Sequence, residues 1–524
     1  MPRDRHPPET AAWAGRGTPG SQPLHALPRR SILTAGLLAG LVPAAARAAA
    51  AEQAAAKLIA DTRMLEVNGR PARVFGLLGP DGKPGLRLAS GESFRVALLN
   101  RTGERTIVHW HGQLPPWTQD GFPWPQTPPL SSGATHTYDF APIAGTFWMH
   151  SHQDMQEQQL LTAPLIVRDA ATERDDRQEV VLMLHDFTFR SPDAVLATLT
   201  GGTPAAAGTM RGRDAAGMQM APSGVASRTS HDMAMPMAHD MPMPGSAHRM
   251  PEMQMDLNDV AFDAFLANDR TLADPEVVQV ERGGRVRLRI INGASASQFW
   301  IDLGGLTGQV VAADGHPVHP VAGQRFPLAI AQRLDILLDL PAAGAFPVLA
   351  RLEGSTRQTG IVLAVAGARV PRLGDAAQPA PAVDNTLEHR LTAVAPLAQR
   401  PADVAHRMTL DGGMRPFAWS IDGQYWPRIT PLMLRRGQRV EIELVNRSMM
   451  THPMHLHGHA FQVIAIDGQR LRGAVRDTVL VMPMGRVRIA FDADNPGRWA
   501  FHCHNLYHMM TGMMTEFRYE GIAA

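Results

Sequence analysis

Three stretches of this sequence follow one pattern, and their spacing restricts the fold more than any other feature. Each begins with glycine, continues as an alternating strand and reaches an asparagine: GESFRVALLNRT at 91–102, GGRVRLRIINGA at 283–294 and GQRVEIELVNRS at 437–448. Their starts lie roughly 150–190 residues apart, which is the length of a domain rather than of a solenoid repeat. The chain of 524 residues is therefore predicted to contain three homologous domains.

The elements of these domains are predicted to be short strands. Period-two alternation bounded by Gly and Pro marks strands at 93–100, 135–140, 163–169, 285–292, 333–340, 439–446 and 486–491. No long amphipathic helix pattern is present, and the 47 Gly and 42 Pro suit turn-rich β-structure. We predict an all-β fold with domains at 52–175, 176–380 and 381–524, the second boundary lying in a Pro/Ala-rich linker.

The first 48 residues have the pattern of an export signal. Arg29 and Arg30 precede a short apolar run at 32–42, and Ala46-Arg47-Ala48 resembles a cleavage site. The run is too short to span a bilayer, and the paired arginines resemble a bacterial twin-arginine signal. We expect a periplasmic mature chain, starting near residue 49, with no transmembrane anchor.

Charge and cysteine content narrow the chemistry. The formal net charge of +1 gives no indication of a nucleic-acid partner. Cys503 is the one cysteine, so no disulfide can form within the chain. A free thiol in an oxidising compartment is at risk of oxidation unless it is buried or bound to a metal.

Histidines are concentrated in four clusters, HWHG, HSH, HPMHLHGH and HCHNLYH, which together hold ten of the 22 without counting His459. Four pairs in them have one intervening residue: His109/His111, His150/His152, His455/His457 and His502/His504. Residues i and i+2 of a strand point to the same face, roughly 6–7 Å apart. One such pair is commonly just two polar strand residues. Four of them can supply eight imidazoles to one metal cluster.

Cys503 lies between two of these histidines and should point to the opposite face of its strand. His452, His508 and Met513 can join it there. Two imidazoles, one thiolate and a weak thioether are the ligands of a blue-copper electron-transfer site. Zinc fits less well, because zinc sites close with four ligands and do not need this many histidines.

Taken together, the four clusters resemble the four copper-binding motifs of the multicopper oxidases, in the order of that family. Two motifs lie in the first predicted domain and two in the third, as in three-domain, laccase-type members, and the resemblance covers roughly residues 55–520. It implies three cupredoxin-like Greek-key β-sandwich domains and four copper ions. All ligand positions are filled, which argues against the family's non-enzymatic members.

The resemblance also implies a role for each ligand. Type 1 copper is expected at His452, Cys503, His508 and axial Met513, and type 2 copper at His109 and His455. The type 3 pair is expected at His111, His150 and His504 for one ion and at His152, His457 and His502 for the other. His459 lies outside the motifs and is interpreted as structural.

The implied reaction takes single electrons from a substrate at type 1 copper. Four electrons then pass through Cys503 to the other three ions, where dioxygen becomes two waters. Asp120, in WTQDGFP, matches an acidic residue that relatives place near type 2 copper, and it is a candidate proton relay. The alternative is an ordinary Asp-Gly turn residue. Some relatives carry Glu where this chain has Met509, so a second proton path at that position is in doubt.

A methionine-rich segment at 210–255 bears on the substrate. It holds eleven methionines together with His231, His239 and His248, and it reads as a solvated insertion in the second domain. Thioethers favour Cu(I), and such segments resemble those of bacterial copper-tolerance oxidases. In those relatives the segment lies in the third domain, which is a difference. A tether with no copper role is the other reading.

Three functions are therefore compared. The first is oxidation of Cu(I) in copper tolerance, and the second is laccase-like oxidation of phenols or aromatic amines. The third is a non-enzymatic protein that sequesters copper or supports the cell envelope, which the intact ligand set disfavours. The methionine-rich segment favours Cu(I).

Overall fold

Alternation of apolar side chains builds a molecule made almost entirely of strands. The computed structural model describes residues 55–202 and 257–523. The predicted signal at 1–48 and the whole methionine-rich segment, 210–255, lie outside these ranges. Within them, no helix has the length and apolar character needed to cross a membrane.

The strands fall into three successive regions. The first has β1 (Ala56–Val67), β2 (Arg70–Leu78), β3 (Leu86–Leu88), β4 (Phe94–Asn100), β5 (Val108–His111), β6 (Thr135–Phe140), β7 (Gly145–Ser151) and β8 (Thr162–Val167). The second has β9 (Gln178–Phe187), β10 (Ala264–Ala267), β11 (Val277–Val280), β12 (Arg285–Asn292), β13 (Phe299–Asp302), β14 (Gly308–Ala313), β15 (His316–Gly323), β16 (Arg325–Leu328), β17 (Arg333–Asp339), β18 (Ala345–Leu352) and β19 (Gln358–Val365).

The third region has β20 (Val404–Met414), β21 (Phe417–Ile421), β22 (Leu432–Leu434), β23 (Arg439–Asn446), β24 (His452–Leu456), β25 (Phe461–Ile466), β26 (Gln469–Arg470), β27 (Val475–Arg476), β28 (Thr478–Val481), β29 (Arg486–Asp492), β30 (Arg498–Cys503) and β31 (Met514–Tyr519). Its three-residue 3-10 turn is Glu388–Arg390, and that of the first region is Trp117–Gln119. The α-helices are short: α1 (Ala170–Arg174), α2 (Pro192–Leu199) and α3 (Leu506–Met510).

Each region folds into two sheets. In the first region the orders are β2-β1-β4-β6 and β3-β8-β7-β5. In the second they are β10-β9-β12-β17-β14-β15 and β11-β19-β18-β13-β16. In the third they are β21-β20-β23-β29-β25-β26, with β27 beside β25, and β22-β31-β30-β24-β28. The predicted all-β class is confirmed, and the sheets pack as paired layers with alternating inward residues.

The three repeated stretches occupy equivalent places. Strands β4, β12 and β23 each pair in parallel with the first strand of their own region, β1, β9 and β20. Their inward residues are buried, as at Phe94, Val96 and Leu98 of β4. The predicted strand limits 135–140, 285–292 and 439–446 agree with β6, β12 and β23.

The asparagine that ends each repeated stretch has a physical role. Asn100, Asn292 and Asn446 are buried, and the side-chain oxygen of each accepts a hydrogen bond from the backbone N–H two residues on. An asparagine is suited to this turn because its side chain imitates a backbone carbonyl. In the third region the turn fixes Ser448, which lies close to the predicted type 1 ligand His452.

Candidate metal centre

Strand register brings the histidine pairs of the first and third regions together. On β5 and β7, His109 lies directly opposite His150. On β24 and β30, His455 lies directly opposite His502, and Met454 lies opposite Cys503. The second histidine of each pair follows at the strand end or just beyond it. Two antiparallel strand pairs therefore present their imidazoles toward one another.

The eight imidazoles form one buried cluster. Ring centroids within the predicted pairs lie 5.7 Å apart for His109/His111, 5.0 Å for His150/His152, 4.9 Å for His455/His457 and 5.4 Å for His502/His504. Contacts across regions are equally close, as for the rings of His109 and His457 at 3.8 Å. The predicted convergence of all four pairs on one centre is therefore confirmed.

The outer ring nitrogens of this cluster face oxygen atoms. His109 Nδ1 lies 2.8 Å from the carbonyl oxygen of Asp120, and His455 Nδ1 lies 2.9 Å from that of Asp477. His502 Nδ1 lies 2.9 Å from the Cys503 carbonyl oxygen. A carbonyl oxygen only accepts, so each of these nitrogens carries the proton and donates. The other nitrogen of each ring therefore presents a lone pair to the interior.

The ring nitrogens that point into the cluster lie close to one another, and their separations show whether a metal ion fits between them. The distances are 3.4 Å for His109 Nε2 and His455 Nε2, 3.1 Å for His457 Nε2 and His502 Nε2, and 3.4 Å for His111 Nδ1 and His150 Nε2. Opposed lone pairs repel unless a cation lies between them. Two nitrogens each about 2 Å from one ion would be separated by about this much. The donor set therefore fits copper ions bound by neutral imidazole.

Burial keeps these rings neutral. The pKa values of His150, His152, His457, His502 and His504 lie well below the ordinary value, first because of burial and then because of neighbouring imidazoles. A backbone hydrogen bond opposes this lowering of the pKa at His150, His502 and His504. Metal binding requires the unprotonated ring, so the fold holds the rings in the state that binds.

Three buried carboxylates each face two of the imidazoles. Asp120 lies 3.3 Å from His109 Nδ1 and 2.7 Å from His457 Nδ1. Asp477 Oδ1 lies 3.0 Å from His111 Nε2 and 3.5 Å from His455 Nδ1. Glu157 lies 2.8 Å from His150 Nδ1 and 3.8 Å from His504 Nδ1. Such carboxylates orient metal-binding imidazoles and increase their basicity.

Asp120 lies in the Asp-Gly turn that the sequence suggested, with its side chain beside His109 and His457. It ends the 3-10 turn Trp117–Gln119 and precedes Gly121, whose φ of +81° suits glycine. A Cβ on Gly121 would lie 1.8 Å from the Val108 carbonyl oxygen, so only glycine fits. This turn carries the Asp120 side chain into the cluster, where it is completely buried.

Asp477 is held by charges from the second region. The Arg333 guanidinium donates to both of its carboxylate oxygens and also to the carbonyl oxygens of Thr146, Ala331 and Asp314. Arg333 is fully buried, and its charge keeps the pKa of Asp477 well below the usual value despite the opposing effect of burial. The second region thus supports the cluster without supplying any of its imidazoles.

The second site lies on the other face of β30. Cys503 Sγ lies 3.7 Å from His452 Nδ1 and 3.6 Å from His508 Nδ1, and these two nitrogens are 3.1 Å apart. All three side chains are completely buried, and burial raises the pKa of the Cys503 thiol. The spacing suits one ion bound by two imidazoles and a thiolate.

The outer nitrogens of this site are also held. His452 Nε2 lies 2.7 Å from Ser448 Oγ, and His508 Nε2 lies 3.0 Å from Asp259 Oδ2. The side chain of Asn505 caps α3 and also donates to Asp259. Both contacts leave the Nδ1 lone pairs directed at Cys503. The opposite-face prediction for Cys503 is confirmed.

Two further predicted residues have clear positions. Met513 is completely buried, and its carbonyl oxygen accepts a hydrogen bond from the backbone N–H of Cys503, so its backbone lies beside that ligand candidate. His459 is buried, with Nδ1 3.2 Å from the His457 carbonyl oxygen and Nε2 2.7 Å from the Tyr519 hydroxyl. Its interpretation as a structural residue agrees with that contact.

Sequence reasoning missed Glu157, Asp477, Arg333 and Asp259. Each lies far in sequence from at least one partner, as His111 and Asp477 do with a separation of 366 residues. None of the four lies in a sequence motif that would mark it as part of a metal site. Only the tertiary arrangement identifies them.

Comparisons with known proteins agree with this geometry. Family models described as multicopper oxidase match residues 63–172, 179–367 and 399–521. The chain is 31% identical to multicopper oxidase MmcO of Mycobacterium tuberculosis, over 83% of this chain and 81% of that protein. It is 27% identical to copper resistance protein A of Escherichia coli, over 84% and 88% of the two chains.

A solved structure shares the fold. The laccase from Botrytis aclada superposes with a TM-score of 0.68 and 20% identity, over 89% of this chain and 88% of that one. The family models and the identity to the mycobacterial protein go further than fold. The chain belongs to the multicopper oxidase family of copper-dependent oxidoreductases, which use dioxygen as electron acceptor.

Proposed function

We propose that the two sites together bind four copper ions. The type 1 ligands are His452, Cys503, His508 and Met513, and the type 2 ligands are His109 and His455. The type 3 ligands are His111, His150 and His504 for one ion and His152, His457 and His502 for the other. The donor atoms of His152, His457 and His502 lie within 4.8 Å of one another, as do those of His452, Cys503 and His508, which supports these sets.

The observation that carries the proposal is the place of Cys503. Its thiol faces His452 and His508 on one side of β30, while the flanking His502 and His504 reach the imidazole cluster on the other. Bound copper supplies one-electron chemistry linking oxidation of a substrate to reduction of dioxygen. Three consecutive residues then join the two sites covalently.

We also propose the domain limits 52–175, 176–380 and 381–524, which the three pairs of sheets and the three family matches support. Export by the twin-arginine route to the periplasm is proposed from the residues of the leader alone.

Asp120 is proposed to hold a proton for dioxygen reduction. Its Oδ1 is buried and has no hydrogen-bond partner, while Oδ2 lies beside His457 Nδ1. Oδ1, which lies 3.3 Å from His109 Nδ1, is the oxygen that we propose takes up and releases the proton. The chain offers this carboxylate next to both a type 2 and a type 3 ligand.

Asp120→Asn tests that role. An amide keeps the size of the side chain but does not exchange a proton at this position, so oxygen uptake should fall by about 100-fold or more. Anaerobic bleaching of the blue colour by substrate should keep its rate, because that step consumes no dioxygen. Asp139→Asn, at an exposed position, is the control. Oxygen uptake unchanged in Asp120→Asn would remove Asp120 from the proton path.

The proposed substrate is Cu(I). Exposed methionines lie beside the type 1 site: Met449 adjoins Ser448, and the Met484 backbone N–H donates to the Ser448 carbonyl oxygen. Ser448 in turn contacts His452. Thioethers are soft ligands that select Cu(I). The relation to a protein named for copper resistance adds support.

Asp259 connects this site to the methionine-rich segment in sequence. It lies only four residues after position 255, where that segment ends, and its carboxylate contacts His508. The described chain that follows the segment therefore reaches the type 1 site at Asp259.

Deleting 210–255 tests the Cu(I) proposal. We expect selective loss of Cu(I) oxidation, because eleven thioethers are removed, while the rate with a phenol is unchanged or higher. Steady-state oxygen uptake with each substrate measures this. A variant of unchanged length with those methionines replaced by serine separates thioether chemistry from chain length. Unaltered Cu(I) rates in both variants would exclude the segment as the substrate route, and a preference for the phenol in the wild type would favour the laccase-like alternative.

A further inference from the structure

Glu157 has surroundings unlike those of an ordinary buried acid. It lies in the turn between β7 and β8 and is 3% exposed. Its Oε2 lies 2.8 Å from His150 Nδ1. Its Oε1 makes no hydrogen bond within the described part of the chain, and it faces His504 Nδ1 at 3.8 Å, a distance for electrostatic attraction alone. Among the described residues, its ion-pair partners are these two histidines, and no arginine or lysine pairs with it. A buried carboxylate without a cationic partner is costly and needs an explanation.

The turn around Glu157 is built to hold it in place. The neighbouring Gln156 accepts hydrogen bonds at Oε1 from Thr106 and Ser151, and the neighbouring Gln158 accepts one from the Tyr507 hydroxyl. The Leu160 N–H donates to the Glu157 carbonyl oxygen, which closes the turn. The side chain therefore has little freedom to turn away from the two imidazoles.

The contacts have a chemical consequence for both rings. A carboxylate beside Nδ1 favours the tautomer with the proton on Nδ1, which leaves the Nε2 lone pair free to bind a metal. His150 Nε2 does face the cluster, 3.4 Å from His111 Nδ1. His504 Nε2 is buried and has no hydrogen-bond partner. The Ser151 carbonyl oxygen, at 3.3 Å, is a more distant acceptor for His150 Nδ1.

We propose that Glu157 is a positioning residue for one type 3 copper, orienting His150 from the first region and His504 from the third through a single carboxylate. The inference rests on the proposed copper assignment, in which both rings bind the same ion. Glu157 then does for these two ligands what Asp120 and Asp477 do for two others each. It does so across a separation of 347 residues between Glu157 and His504.

Two substitutions separate orientation from packing. Glu157→Leu keeps most of the volume and removes the acceptor, whereas Glu157→Gln keeps one acceptor oxygen without the charge. Loss of such a partner typically weakens metal affinity by about 10–100-fold. We therefore expect copper release to a chelator to be slowest in the wild type, faster in Glu157→Gln and fastest in Glu157→Leu. Metal analysis over time gives these rates without reference to oxidase activity.

Spectroscopy identifies which copper is affected. A coupled Cu(II) pair gives no paramagnetic resonance signal, so disturbing one member should produce a new signal in Glu157→Leu and a weaker one in Glu157→Gln. The blue absorption should persist, because Cys503 and its partners are on the other face of β30. Asp154→Asn is the matched control: it removes one charge from the same turn at an exposed position and should behave as the wild type.

The possible results separate the role of Glu157 from the proposed copper assignment on which that role rests. A wild type that binds no coupled pair would overturn the copper assignment. A wild type with a coupled pair, but with equal release rates and spectra in both Glu157 variants, would overturn the role of Glu157 alone. If Glu157→Leu does not fold, the comparison of Glu157→Gln with Asp154→Asn decides, and equal release rates there reject the role.

Discussion

Cys503→Ser should load as a colourless protein and lose oxidase activity to background. Serine supplies a hard oxygen ligand where the site offers two Nδ1 atoms 3.6 and 3.7 Å from a soft sulfur. The blue colour comes from a thiolate bound to Cu(II), so it cannot survive this change. The visible spectrum, the copper content and oxygen uptake with Cu(I) measure the effect. The imidazole cluster should keep its copper, because its ligands are untouched.

Met510→Leu provides the comparison for Cys503→Ser. Met510 ends α3 beside the same site but is not among the proposed ligands. The colour should persist in this variant. A copper-loaded wild type without blue colour would contradict the type 1 assignment, and oxidase activity surviving in Cys503→Ser would contradict the electron route.

Arg333→Met should strongly destabilise the protein. It leaves Asp477 buried and negatively charged with no guanidinium, and breaking a buried pair in this way costs about 3–5 kcal/mol of unfolding free energy. Denaturant unfolding of copper-free protein measures the loss. The double variant Arg333→Met/Asp477→Leu should recover part of it, because no unpaired charge then remains. Its copper binding should stay impaired, since His111 and His455 lose their shared partner.

A surface pair supplies the reference for Arg333→Met. Arg325 pairs with Asp302, but its side chain is 63% exposed. Arg325→Met should therefore change the unfolding free energy by at most about 1 kcal/mol. Similar losses for both arginines would show that Asp477 does not depend on Arg333.

The sequence predicts those features of the fold and of the site that depend on residues close together in the chain. The pairs His109/His111 and His502/His504 could be recognised because strand geometry places residues i and i+2 on one face. The opposite direction of Cys503 follows from the same rule. The repeated asparagines were found as a pattern, but their turn became clear only from hydrogen bonds such as that from the Thr102 N–H to Asn100.

The supporting groups could not be predicted in this way. Glu157 and Asp477 lie in stretches with no periodic sequence pattern. They belong to the site because strands distant in sequence bring His504 and His111 close to them. Arg333 reads as the first residue of an ordinary strand, β17. Local chemistry identifies the ligands, whereas the groups that orient them depend on how three regions pack.

The direct contact between His109 and His455 has a consequence for when the imidazole cluster can be completed during synthesis of the chain. These rings come from positions 346 residues apart, and half of the cluster comes from each end of the folded chain. A nascent chain that stops short of residue 504 has only part of the cluster, so the complete set of eight imidazoles exists only after that residue has been synthesised. Once bound, the ions close a very long loop, and the entropy of that closure grows only slowly with length. Copper bound in the cluster would therefore join two parts of the protein that lie far apart in the chain.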